Sequence, residues 1–398
     1  MLRRHPIAFL LLALVIAGAL APLGPLLDVP SGSPPGDVAL VLPAGYLALA
    51  PLSNLLDALT FLSVERAPWA LCVWLFGLTW WGVLSAGSRR RRLARAVAGP
   101  VSLVALAAAA AALPRPVPRL APDDSGLTVI DYHAHTAASH DGRRGWTPER
   151  LGRWHARQGF EASYVTDHNV PYTPTGSEPL PLLPGAEWSV HRQHVLALGP
   201  GQALVRDSFS GTTPRMLRVF AQLAQQGAVT IASIPEYWRN HWDELDAFVT
   251  AGVSGFEIVS CGPKALGFPA AGRRRVVALA AAHNLLITGG SDNHGWGAVT
   301  CVWNLSAPGA GGYGANRVVA RALAVAQGDG SPAWAAAVTQ PWLMFRTLGW
   351  SERAIWATWI LLSLIYRGLP RRREEPGGIG ILARSLSLRG LFGRRPAP

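Results

Sequence analysis

Apolar and polar positions divide the chain into three stretches. Near-continuous apolar runs over Ile7 to Leu27, Pro68 to Ala86 and Ala96 to Leu113 approach or reach the ~20 residues an α-helix needs to cross a bilayer, and predict spans over 7–27, 68–86 and 96–113. The apolar segment Val38 to Val64 is interrupted by Pro43, Pro51, Asn54 and Asp57; a carboxylate at bilayer depth is costly, so this segment is read as non-spanning. Residues 114–126 read as a proline-rich linker. Beyond it, from 127 to 345, the pattern shortens. Runs at Leu127 to Asp131, Ala162 to Thr166, His194 to Leu198, Ala228 to Ile234, Gly255 to Ser260 and Leu285 to Thr288 predict strands. Helical periodicity covers Thr147 to Gln158, Thr213 to Gln226, Trp242 to Thr250 and Ala265 to Ala282. Alternating strand and helix predicts an α/β domain on a parallel sheet, open or closed into a barrel. A last apolar run, Ala354 to Tyr366 with Trp350 and Trp356 beside it, predicts a membrane or interfacial helix within 346–373, before a basic tail over 374–398 expected to be disordered.

Charge sharpens the topology. Lysine and arginine number 36 against 24 acidic residues, with the surplus in two arginine clusters, Arg89 to Arg95 and Arg367 to Arg373, and at the termini. Three spans before the linker put Arg3, Arg4 and the Arg89 cluster on the cytoplasmic side, as the positive-inside rule asks, and leave the domain over 127–345 extracytoplasmic. A return crossing near Tyr366 then brings Arg367 back inside; an interfacial helix is the alternative. The first run can also be read as a signal peptide, with Ala19-Leu20-Ala21 as its cleavage site. Between Leu127 and Phe345 charge nearly balances, 16 basic against 15 acidic, which gives no evidence of a nucleic-acid partner. Cys261 and Cys301 can pair or stay free, and Cys72 lies in an apolar run.

Ligand-type side chains gather at the ends of the strands. The first ends in Asp131-Tyr132-His133-Ala134-His135-Thr136, with Ser139-His140-Asp141 following. His133 and His135 share a face because the strand period is two, so both imidazoles can reach one ion. Later ends carry Thr166-Asp167-His168, Pro184-Gly185-Ala186-Glu187, His194-Val195-Leu196 and Ser291-Asp292-Asn293-His294. Buried charges are expensive unless paired or metal-bound, so five such ends point to metal rather than core. A β/α barrel also places its site at these ends. Mixed imidazole and carboxylate sets suit zinc, manganese or iron, which lower the pKa of bound water. Arg143, Arg144, Arg192 and Arg239 lie near the motifs, where they can clamp a phosphate or stay solvated.

In this order the motifs H-x-H-T, T-D-H, P-G-x-E, H-V-L-x-L-G and S-D-x-H, from Asp131 to His294, resemble those of the PHP (polymerase and histidinol phosphatase) domain family. The resemblance implies a distorted β/α barrel of the PHP type, holding two or three divalent metal ions (Mn, Zn or Fe) and hydrolysing a phosphate ester with a metal-bound hydroxide. Carried over, His133, His135, Glu187 and Asp292 would hold the first metal, Glu187 and His194 a second, and His168, His294 and Asp141 a third, with His140 the alternative to Asp141. Glu187, Asp292 and His194 would be the catalytic residues. Where the family has Ala-His-Pro this chain reads Ala232-Ser233-Ile234-Pro235, and isoleucine cannot ligate, so Glu236 or His241 would have to complete the second site. The chain is thus expected to be a membrane-anchored phosphoesterase whose partners are a phosphate-ester substrate and the lipid bilayer. An amidohydrolase-type hydrolase and a metal-binding sensor or scaffold are the competing readings. The only lysine, Lys264, falls in an expected loop, which argues against a carboxylated-lysine amidohydrolase.

Overall fold

The computed structural model describes residues 5–123, 126–200, 202, 204, 211–307, 309, 312 and 315–368. Its N-terminal part runs α1 (Pro6–Leu20), β1 (Leu26–Asp28), β2 (Val38–Val41), α2 (Ala44–Ala48), α3 (Ala50–Thr60), α4 (Ala67–Leu84), α5 (Arg89–Ala112) and β3 (Arg119–Pro122). There follow β4 (Thr128–Asp131), α6 (Pro148–Arg157), β5 (Ala162–Val165), β6 (Leu182–Val190), β7 (Gln193–Leu198), α7 (Thr213–Gln225) and β8 (Val229–Ser233). The chain continues through α8 (Leu245–Thr250), β9 (Gly255–Ser260), α9 (Ala270–Ala282), β10 (Leu286–Gly290), β11 (Val302–Ser306), β12 (Asn316–Arg321), α10 (Ala322–Val325), α11 (Ala336–Thr347) and α12 (Trp350–Gly368).

One ten-stranded sheet, ordered β1-β12-β11-β4-β5-β6-β7-β8-β9-β10, curls until its last strand returns toward β11 and β12. Side-chain amides bridge that seam. Asn304 accepts from Gly289 N (2.8 Å) and donates to Gly289 O (2.7 Å), while Asn316 donates to Ile287 O (2.5 Å). Helices α7, α8 and α9 cover the outside, with Phe220, Phe248 and Val276 buried in the main apolar cluster.

The expected parallel sheet is corrected to a mixed one, since β7 runs antiparallel to both neighbours and β11 antiparallel to β4 and β12. The β6–β7 hairpin turns on His191 and Arg192, both at positive φ (47° and 59°). Such a two-residue turn normally carries Asn or Gly, and without them the hairpin left no signature in the sequence.

The first third also departs from expectation. Residues 7–27 do not form one long helix: α1 has 15 residues, and beyond Pro22 and Pro25 the chain enters β1, which pairs antiparallel with β12. Among the described residues, two helices are long and apolar enough to cross a membrane, Ala67–Leu84 and Arg89–Ala112, the second starting seven residues earlier than expected. Only 11% of each apolar window is buried, so neither is a core helix. The 114–126 linker contains β3, paired with β2. The Val38 to Val64 segment holds two short helices whose polar groups are matched. Asp57 pairs with Arg115 (2.7 Å) and Arg321 (3.1 Å) and accepts from Tyr46 Oη (2.8 Å); Asn54 accepts from Trp356 Nε1 (2.9 Å). The helix expected from Ala265 starts at Ala270, after Pro269. The 374–398 tail lies outside the described residues.

Candidate metal centre

Strands β4, β5, β6, β7 and β10 deliver their ligand-type ends to one point. Glu187, on β6, is fully buried. Its Oε2 lies 2.9 Å from His168 Nδ1 and 3.4 Å from both His133 Nε2 and His135 Nε2, and its Oε1 lies 2.5 Å from His194 Nδ1. Asp292 Oδ1 approaches His135 Nε2 (3.2 Å), His294 Nδ1 (3.4 Å) and His133 Nε2 (3.6 Å). Asp141 closes the solvent side, its oxygens 3.2 Å from His294 Nε2 and 3.6 Å from His168 Nε2. His140 is exposed, its ring centroid 5.0 Å from that of His168, so Asp141 is the better placed of the two alternatives.

These groups lie close enough together to share a cation. Both Glu187 oxygens, Nε2 of His133, His135 and His294, and Nδ1 of His168 are buried without a hydrogen-bond partner. Unsatisfied buried polar atoms are costly and rare, and six facing one point fit bound cations. Four overlapping groups of three donors each lie within 4.8 Å: His133, His135 and Glu187; His135, His168 and His294; His168, Glu187 and His194; His140, Asp141 and His168.

Burial alone would raise the Glu187 carboxyl, but His194 and His133 hold it well below the usual range. Burial likewise opposes charge on His294, which Asp141 and Asp292 nevertheless push up to about 9. For His135, burial and the neighbouring His294 prevail and bring it down to about 3. One centre thus holds imidazoles shifted in opposite directions.

A second layer fixes the ligands, and part of it was not foreseen from sequence. Glu257, inside the wholly buried strand β9, lies 3.0 Å from His133 Nδ1 and accepts from Ser233 Oγ, aiming His133 Nε2 at Glu187. A lone carboxylate in an apolar strand was its only signal. Asp131 Oδ1 accepts from His133 N (3.2 Å) and Ser291 N (3.0 Å), and Oδ2 lies 2.8 Å from His155 Nε2, tying β4 to β10. Ser139 Oγ meets His135 Nδ1 (2.9 Å) and donates to Asp167 (3.1 Å). Gly290 leaves room for this layer, because a Cβ there would stand 2.2 Å from Glu257 Oε1.

No family model matches the chain, and no curated protein matches it in sequence. Among the solved structures that resemble it, three are described. They are a candidate metal-dependent phosphoesterase from Bifidobacterium adolescentis (20% identity, 42% of this chain and 87% of that one, TM-score 0.32) and PsfC from Pseudomonas syringae (20%, 46% and 82%, 0.33). The third is a two-domain protein from Bacteroides vulgatus containing a predicted PHP-like metal-dependent phosphoesterase (18%, 47% and 60%, 0.32). Likenesses this remote assign no activity, so function is read from the side chains.

The remaining sequence expectations divide. Ile234 is 2% exposed and belongs to the main apolar cluster, offering no ligand atom. Glu236 stands 3.7 Å from His194 Nδ1, whereas His241 is engaged elsewhere, with Glu244 and with His191 O. Lys264 pairs with Glu236 (2.8 Å). Arg143 donates to Ala112 O and Gly295 O, and Arg239 pairs with Glu65, so neither faces the donors. Arg192 lines the cavity above them.

Proposed function

We propose that this chain is a membrane-anchored, metal-dependent phosphoric ester hydrolase of the PHP type, with its hydrolase domain on the extracytoplasmic side. Glu187 carries the reading: a fully buried carboxylate, both oxygens lacking hydrogen-bond partners and ringed by four imidazoles, is suited to bridge cations. His133, His135, Glu187 and Asp292 would hold one ion, Glu187 and His194 a second, and His168, His294 and Asp141 a third; manganese, zinc and iron suit this donor set. When bound, such ions lower the pKa of water and neutralise charge on a phosphate oxygen. The chain's own groups do the rest. Glu257, Asp131, Ser139 and Asp167 lock the imidazole orientations, and Arg192 at the rim offers a guanidinium to a phosphate.

Anchoring is supported by the exposed apolar faces of α4 and α5, with Trp69 exposed near the start of α4 and Trp80 and Trp81 near its end, as aromatic belts require. The Cys261–Cys301 disulfide fits an oxidising compartment.

The full-length chain, purified in detergent and loaded with manganese or zinc, is the material for the test, because β1 belongs to the same sheet as the site and a fragment over 127–345 would lack it. Phosphate release from a panel of phosphate esters, lost in Glu187→Gln, is expected. Stoichiometric metal without release from any ester would overturn the hydrolase in favour of a metal-binding sensor.

A further inference from the structure

The donor cluster is not at the bottom of a polar cleft open to water on all sides. A single cavity of about 1090 Å³ has His168, His194, Asp292 and His294 on one side and, on the other, the α3–α4 connection, the first turn of α4 and the last turns of α5. That second wall is made of Leu62, Val64, Pro68, Leu71, Ala107 and Ala110. Here the residues sit where two apolar, outward-facing helices meet the domain, so the wall continues into the surface that α4 and α5 present to their surroundings. The helices enter the domain at fixed points: Gly297 N donates to Ala111 O (2.7 Å) at the end of α5, and Arg66, before α4, donates to Gln327 O and Ser331 O. The apolar wall is therefore held rigidly across from the ligands. The volume slightly exceeds the roughly 300–1,000 Å³ usual for small-molecule sites, leaving room for a headgroup and the start of a chain.

We propose that the substrate is an amphiphile, a phosphate ester of a long alkyl, acyl or isoprenoid chain, whose phosphate meets the donor cluster while its chain lies on the α4–α5 wall and extends along those helices into the bilayer. The inference rests on the phosphoesterase reading and adds what the ester's alcohol must be. Two chemically different walls select a molecule with two chemically different ends. A small polar ester would satisfy the donors and leave the apolar wall wet, whereas an alkyl chain removes that surface from water.

Two esters that differ only in chain length, ethyl phosphate and decyl phosphate, both below their micellar concentrations, separate the possibilities on the full-length, metal-loaded protein. The decyl ester is expected to show a kcat/KM at least about tenfold higher, since each buried methylene is worth roughly a fourfold preference. Leu71→Asn should pull the ratio of the two values toward one. Independently of turnover, a decyl phosphonate with a photoreactive group at its chain end is expected to label peptides from α4 or α5. Equal kcat/KM values, with labelling elsewhere or none, would overturn the inference while leaving the hydrolase standing. Failure to hydrolyse either ester, with the metal bound, would leave the hydrolase to the wider panel of esters, and absence of labelling on α4 and α5 would then overturn the inference.

Discussion

At the scale of single residues, the centre is organised around the two oxygens of Glu187, one facing His133, His135 and His168 and the other His194. Glu187→Gln removes a charge shared by two donor groups, so it should cost more than loss of the peripheral Asp141. Elemental analysis is expected to show most bound metal gone, and turnover should fall by more than roughly 100-fold, the upper range for supporting residues. Glu257 makes no contact with an ion in this reading, yet it fixes the His133 ring. Glu257→Leu should weaken metal binding by about 10–100-fold by calorimetry, with Glu257→Gln in between, since the amide oxygen can still accept from Nδ1. Glu236 is the carboxylate nearest His194 after Glu187, and in the proposed reading it is the group that would support a second ion. Glu236→Gln should therefore lower the stoichiometry of the weakest site in a metal titration and leave the tightest unchanged. The donor residues that the fold brings together were legible in the sequence because they are histidines and carboxylates near strand ends. Their supports were not: Glu257 and His155 touch the site only after strands and helix far apart in sequence have come together.

At the scale of elements, β4, β5, β7, β8, β9 and β10 fall within a residue or two of their expected bounds, whereas β6, which carries Glu187, was not read as a strand. Strands β11 and β12 were missed because they carry Asn304 and Asn316 in buried positions, where a sequence reading expects apolar side chains; the amides close the seam. Strand β1 was hidden inside what looked like one continuous span, because apolarity alone does not separate a buried strand from a lipid-facing helix. The disulfide joins the ends of two of these elements, Cys261 just after β9 and Cys301 just before β11, 40 residues apart. Closing a loop of that length is worth about 2–4 kcal/mol, so Cys261→Ser should lower the thermal midpoint and release Cys301 for labelling. In the unfolded but unreduced protein, Cys72 should be the one thiol that reacts.

At the scale of the whole molecule, arginines flank the apolar helices. Just after α1, Leu23 N donates to Arg346 O (3.1 Å), and α1 begins beside Arg3 and Arg4 in the sequence. The α4–α5 hairpin turns at Ser88 into Arg89 to Arg92, and α12 runs out toward Arg367. Gly82 lets the hairpin close, since a Cβ there would stand 2.4 Å from Ala96 N. We propose, on the positive-inside rule, that these arginine-bearing ends lie in the cytoplasm and the domain outside. Green fluorescent protein fused after the last residue should fluoresce, and alkaline phosphatase inserted near Asp123 should be active; the reverse pattern would invert the topology.

The pairing of β1 with β12 sets a condition on how the chain is made. Leu26 finds Arg321 across nearly 300 residues, and closing so long a loop comes late in folding. As the chain emerges from the ribosome, β1 must wait for almost the whole domain before its partner exists. Until then the edge of β11 that β12 will cover, and afterwards the edge of β12 itself, are templates for pairing with another molecule. Synthesis that stops before β12 would therefore leave an unfinished sheet with open edges, of the kind that pair with other molecules.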